Sequence, residues 1–232
     1  MAETKSVLIV LTSNSALGET GKETGFWAEE FAAPYYALKD AGFDIAVASI
    51  KGGAAPMDPG SLSEPGDNPE AVERMLDDDD LMETVKTTRS IEAVDAIDFD
   101  AVFLPGGHGT MWDFPECEAL SKRLARVWAC GGAIAAVCHG PAGLVDVELE
   151  DGVQLVDGKK LTAFTNSEEA AAGLTDAVPF LLQTRLCEQG AHFKAEDDFQ
   201  PHVVVDGRLV TGQNLASSAD TAARLVEVLR HG

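Results

Sequence analysis

The residues best suited to covalent chemistry fall in one short stretch. In AIAAVCHGPAGLV, residues 133–145, an apolar strand-like run leads straight into Cys138, and Gly140 with Pro141 then opens what should be a helix. The A-x-C-x-G spacing is the thiol version of a nucleophile elbow, in which small flanking residues let the chain turn sharply and present one side chain at the carboxyl edge of a sheet. A cysteine there should lie near a helix N-terminus, whose partial positive charge favours thiolate over thiol. Cys117, Cys130 and Cys187 lie in helix-like contexts and read as buried structural residues. A second strand-like run, AVFLPGGHGT at residues 101–110, also ends in glycines. Gly106 and Gly107 can bring backbone N–H groups to a developing oxyanion, with the His139 amide as a further donor.

Other chemistries find less support. The four cysteines show no CxxC spacing and are too sparse for a disulfide framework, so reduced thiols are expected. The five histidines form no HxxxH or HExxH pair, and no metal site follows from their spacing.

The elements that must position these groups alternate along the chain. Ser6 to Leu11 is a continuous apolar, β-branched run of the kind found in the middle of a parallel sheet. Residues 25–40 carry Phe26, Phe31, Tyr35 and Leu38 at helical spacing and stop at Ala41-Gly42. Strands at 45–50 and 101–104, a helix at 117–129 and a strand at 133–137 continue the pattern, which predicts a doubly wound α/β sheet with right-handed crossovers. The Gly/Pro-rich segment 51–70 and a polar, acidic helix-like stretch at 69–82 read as a surface excursion. HVVVDGRLVTG reads as a hairpin turning at Asp206-Gly207, followed by a last helix over 217–230.

With 232 residues, 45% hydrophobic and 24% charged, the chain fits a single domain over residues 1–232 with one full core. No run of 18 apolar residues occurs, and the polar lead before Ser6 shows no signal-peptide pattern, so a cytoplasmic, membrane-free protein is expected. Lys plus Arg number 17 against 39 Asp plus Glu, a net charge of −22 that repels nucleic acid and anionic membranes. Such acidity is either a solubility charge or an adaptation to high salt.

Four segments, TGFWAEEFAAPYYALKDAGF, PGGHGTMWDFP, AAVCHGPAGL and TNSEEAAAGLTDAVPFLLQ, together resemble the ThiJ/PfpI superfamily, in particular its small glutathione-independent glyoxalase and stress-chaperone branch. The resemblance implies a flavodoxin-like three-layer α/β sandwich with a mostly parallel sheet, a nucleophilic cysteine, no external cofactor and usually a homodimer. By the same resemblance Cys138 is the nucleophile, His139 its neighbouring histidine, and Glu30, four residues before Pro34, the acid hydrogen-bonded to the sulfur. Glu29 should leave the helix on another face. An acid that orients the histidine is implied about 30 residues after the cysteine; Glu168 and Glu169 both qualify, counting from Phe164 favours Glu169, and both could simply cap a helix. His108 and Trp112 are pocket candidates, with plain packing equally open for Trp112, and His202 reads as structural.

The activity implied is conversion of methylglyoxal or glyoxal, small dicarbonyls, to lactate or glycolate. Alternatives are a holding chaperone, a cysteine hydrolase acting on peptides or amides, and a redox sensor at Cys138. The distal His-x-Glu pair of glutamine amidotransferases is missing, since PHVVVD has Val two residues after the histidine, and so are the spaced histidines of the large chaperone members' metal insertion.

Overall fold

Apolar strands that are buried on both faces need helices on both sides, and that requirement sets the architecture. The computed structural model describes residues 4–94 and 99–231; the first three residues of the polar lead and Gly232 lie outside that range. Strands β1 (Ser6–Leu11), β2 (Asp44–Ser49), β3 (Arg89–Ser90), β4 (Ala101–Leu104), β5 (Ala133–Val137), β8 (Val203–Asp206) and β9 (Leu209–Gly212) form one sheet in the order β3-β2-β1-β4-β5-β9-β8. All its pairings are parallel except β8 with β9, the expected hairpin. A separate parallel pair joins β6 (Lys160–Leu161) and β7 (His192–Phe193).

Side chains alternate across the sheet and feed two cores. Val7, Ile9, Leu11, Phe103, Ala135 and Val137 pack under α1 (Ala28–Asp40) and α8 (Ser218–His231). Leu8, Val10, Val102, Leu104, Ile134 and Ala136 pack under α5 (Glu118–Ala129). The result is the expected flavodoxin-like α/β sandwich. Among the described residues no helix is long and apolar enough to cross a membrane.

Several expectations change in detail. The acidic stretch after the loop is two helices, α2 (Glu70–Leu76) and α3 (Asp79–Lys86). The break falls inside the run of four aspartates, because Asp78 turns its side chain back to accept from the Leu81 amide at 3.0 Å and so starts α3. The Gly/Pro-rich excursion is also more than surface decoration: Phe26 N–H donates to Pro56 O and Asp58 N–H to Phe26 O, each at 2.9 Å, which fixes the entry to α1. A side chain at Gly25 would collide with the Pro56 carbonyl. After Cys138 the chain forms only a five-residue 3-10 turn, Gly140–Leu144, where a helix was expected. α4 (Thr110–Asp113), α6 (Asn166–Ala171) and α7 (Leu182–Glu188) complete the chain.

Candidate active site

The site forms at the carboxyl ends of β4 and β5. Cys138 has φ +59°, a left-handed backbone that non-glycine residues rarely adopt, and this is the sharp turn an elbow requires. Its N–H donates to Gly212 O at 3.0 Å and its carbonyl accepts from Phe164 N at 2.9 Å, so neighbours on both sides hold the strained residue. Gly140 is needed because any side chain there would strike the Leu104 carbonyl at the end of β4. Thr110 ties the two loops together, its hydroxyl placed to donate to Gly107 O at 2.9 Å and His139 O at 3.0 Å.

Around the sulfur the side chains form one chain of contacts. Glu30, buried on α1, is hydrogen-bonded to the Cys138 thiol and accepts the Gly106 N–H at 2.9 Å. Burial pushes its carboxyl up to about 8 against these two hydrogen bonds, with Glu29 and Asp58 adding repulsion. Cys138 Sγ lies 3.4 Å from His139 Nδ1, and His139 Nε2 lies 2.7 Å from Glu169 Oε2. The other Glu169 oxygen lies 2.9 Å from His108 Nε2. Burial raises Glu169, but the hydrogen bonds from the two histidines outweigh it and hold the carboxyl at about 2. His139 is pushed down to about 4 by burial and by its neighbour His108, so its ring is neutral. An ionised carboxylate only accepts, so the single ring proton of His139 sits on Nε2 and Nδ1 turns a lone pair to the sulfur. The rings of His108 and Phe164 flank that of His139, with centroids 4.1 Å and 4.4 Å away.

The structure therefore brings Cys138, His139, Glu30 and Glu169 together, with His108 on the same carboxylate. The adjacent acids separate cleanly. Glu168 caps α6, accepting from Thr165 N at 2.9 Å while the Thr165 hydroxyl accepts from Glu168 N at 3.1 Å. Its other oxygen accepts from Phe199 N and Asn214 Nδ2, both at 2.8 Å. Glu29 is half-buried and has no place in the contact chain. Gly106 is corrected as an oxyanion donor, because Glu30 already occupies its N–H. Gly107, at φ +96° and with no room for a side chain beside Gly25 and Trp27, keeps an N–H that donates to no group among the described residues. Trp112 packs on the α5 side of the core, and His202 is held structurally, its N–H donating to Ser217 Oγ at 3.0 Å.

The thiols invert the expectation. Cys138 is 6% exposed and its thiol lies well above the usual range, raised first by burial and then by Glu30, which outweigh the hydrogen bond from the His139 amide. Cys130 and Cys187, at or near helix C-termini, are exposed, and Cys117, at the start of α5, packs against the core only in part. Spacing along the chain argued for no metal site, yet the fold gathers ligand atoms of His108, His139 and Glu169 within 4.8 Å of one another. Phe164 and Phe199, with ring centroids 6.2 Å apart, were not anticipated as neighbours of the site.

Residues 22–228 match the model of the DJ-1/PfpI family. The chain belongs to that family. Among its relatives is the Saccharomyces cerevisiae glutathione-independent glyoxalase HSP31, 32% identical over 98% of this chain and 99% of the relative. Among solved structures, Rapid Encystment Protein 24 KDa of Francisella tularensis superposes with a TM-score of 0.93 at 36% identity, covering 97% of this chain and 99% of that one. Glyoxalase III of Candida albicans superposes with a TM-score of 0.89 at 31% identity over 97% of each chain. In this DJ-1/PfpI chain the cysteine elbow, the α1 glutamate and the histidine-carboxylate pair all lie inside the matched region.

Proposed function

We propose that this DJ-1/PfpI chain is a glutathione-independent glyoxalase that converts methylglyoxal or glyoxal to lactate or glycolate, a lyase that in reverse would be a lactate dehydratase. The observation that carries the reading is the contact chain Glu30, Cys138, His139 and Glu169, a thiol flanked by two groups able to carry protons. Its relatives of full length named as glyoxalases support the substrate class.

The steps follow from the geometry. As Cys138 Sγ adds to the aldehyde carbon, the thiol proton passes to the lone pair of His139 Nδ1 and returns to the new oxygen, giving a hemithioacetal. Glu169, bonded to Nε2, holds the tautomer that makes this possible and stabilises the transient imidazolium. The Gly107 amide, whose N–H donates to no group among the described residues, would receive the oxyanion. Glu30 acts in its ionised form, which a carboxyl at about 8 reaches in a minor fraction of molecules at neutrality; it removes the hydrogen from the thiol-bearing carbon and delivers it to the adjacent carbon through an enediol. The product is a thioester, and water releases the hydroxy acid and restores the thiol. Electrons and atoms balance within substrate plus water, so no cofactor enters.

The test is acid quenching during turnover followed by mass mapping. A methylglyoxal-derived acyl or hemithioacetal adduct should appear on Cys138, and it should accumulate in Glu30→Gln, where the proton shuttle is gone. Turnover with no adduct on Cys138 under any quench would refute the covalent route.

A further inference from the structure

We propose that His108, His139 and Glu169 form a binding site for one divalent first-row cation, Zn2+ foremost, and that filling this site stops turnover. Binding rests on the ligand geometry alone; the loss of turnover rests on the function proposed above.

The three ligand atoms lie within 4.8 Å of one another, and each imidazole Nε2 already faces an oxygen of the same carboxylate, at 2.9 Å and 2.7 Å. Zn–N and Zn–O bonds of about 2.0–2.2 Å place two ligands of a tetrahedral ion roughly 3.3 Å apart, so an ion between these groups asks the pairs to open by about half an ångström. Two imidazoles and one carboxylate suit Zn2+, Ni2+ or Cu2+ and do not suit Mg2+ or Ca2+, which take oxygen ligands. Three protein ligands leave a fourth position for water, and His108, 15% exposed where its partners are buried, marks the way in. The ligands come from three separate places, the β4 and β5 loops and the first turn of α6, each held by contacts of its own.

Cys138 is left out of this ligand set, because its sulfur faces the other nitrogen of His139, 3.4 Å from Nδ1. That separation supplies the mechanism of inhibition. A cation on Nε2 requires the ring proton to sit on Nδ1, where it points at the sulfur. The ring then has no lone pair with which to accept the thiol proton. The thiol survives intact while its base is locked in the wrong tautomer.

The acidic surface and the exposed thiols also attract cations, so the test uses the full chain with Cys117, Cys130 and Cys187 changed to Ser, stripped of metal, in high KCl with excess Mg2+. Equilibrium dialysis with Zn2+ should find one tight equivalent. Co2+ in its place should give the strong visible bands of four-coordinate cobalt without a thiolate-to-cobalt band in the near ultraviolet, and Cys138→Ser should leave that spectrum unchanged. His108→Ala and Glu169→Gln, each checked for a cooperative melting transition, should each weaken binding by at least the ~10–100-fold that loss of even a supporting group costs. Zn2+ should stop lactate release and a chelator should restore it. The absence of a tight equivalent, tight binding that survives both variants, or a cobalt spectrum that Cys138→Ser abolishes would overturn the site. Full turnover with the site filled would overturn the inhibition. A metal-free enzyme with no turnover would refute the glyoxalase reading instead, and dialysis would still decide the site.

Discussion

Glu30 and Cys138 sit in direct contact in a buried site; burial makes both harder to ionise, Glu30 raises the thiol further, and the thiol's hydrogen bond offsets part of the rise at Glu30. A carboxyl lifted from 4.5 to about 8 holds its proton in the fold over a pH range where the unfolded chain has lost it. The folded state therefore binds more protons between those values, and stability falls as pH rises through them before levelling above about 8. Glu30→Gln removes that slope. Its melting temperature should equal the wild type's near pH 5 and exceed it at pH 9, by an amount worth a few kcal/mol, while lactate release falls roughly 10²–10⁴-fold. Parallel melting profiles of the two proteins across pH would contradict the burial cost assigned to this carboxyl. Thiol mapping gives a second check, because labelling follows both access and thiolate fraction. Limiting iodoacetamide should modify the exposed Cys130 and Cys187 before Cys138, and Cys138 labelling first would show that its sulfur is more open than its burial implies.

At the scale of elements, the first turn of α6 assigns different work to two adjacent acids. Glu168 gathers donors from Thr165, Phe199 and Asn214, and its Phe199 bond secures a residue held at φ +60°. Glu168→Ala strands the buried Thr165 N–H and one Asn214 Nδ2 hydrogen and frees the Phe199 N–H, and should cost about 1–3 kcal/mol for each donor left buried without an acceptor, read as a lower urea midpoint. Glu169→Ala should lose turnover and also some stability, because His108 and the buried His139 lose the acceptor that their Nε2 groups share, whereas Glu168→Ala should keep turnover in the folded fraction. If turnover survives in Glu169→Ala and not in folded Glu168→Ala, the assignment is reversed. In the sequence both acids are open as caps and only the count from Phe164 favours Glu169; the Thr165-x-x-Glu168 capping-box spacing is the signal that separates them. The longer strands were legible in continuous apolar runs such as SVLIVL, which specify buried parallel pairing, whereas the two-residue strands β3, β6 and β7 carry no such run and were not expected. Other features required the third dimension. The pairing of His108 with Glu169 joins residues from loops that periodicity does not connect, and the α1 entry is fixed by a Pro56 carbonyl 30 residues downstream of Phe26. The high thiol pKa depends on how completely α1 covers the elbow, which helix-terminus reasoning from one segment does not reveal.

On the scale of the whole molecule, 39 acids face 17 bases, and those ion pairs that form on the surface join side chains open to solvent. Such pairs contribute little each, so the net repulsion of the remaining acids is the larger electrostatic influence on the fold. Salt screens it. Melting temperature should climb steadily from low to molar KCl, and a flat profile would show that the acidic shell serves solubility alone. That repulsion acts among solvated side chains, whereas Glu30, Cys138, His139 and Glu169 are buried, so turnover at fixed temperature should respond to salt much less than stability does.

The most direct test of the glyoxalase assignment is lactate release from methylglyoxal in buffer free of glutathione, with wild type, Cys138→Ala and Glu29→Gln assayed side by side. The wild-type protein and Glu29→Gln should release lactate at similar rates, and Cys138→Ala should release none above the uncatalysed background. Lactate release that persists in Cys138→Ala, or that requires added glutathione, would contradict the account.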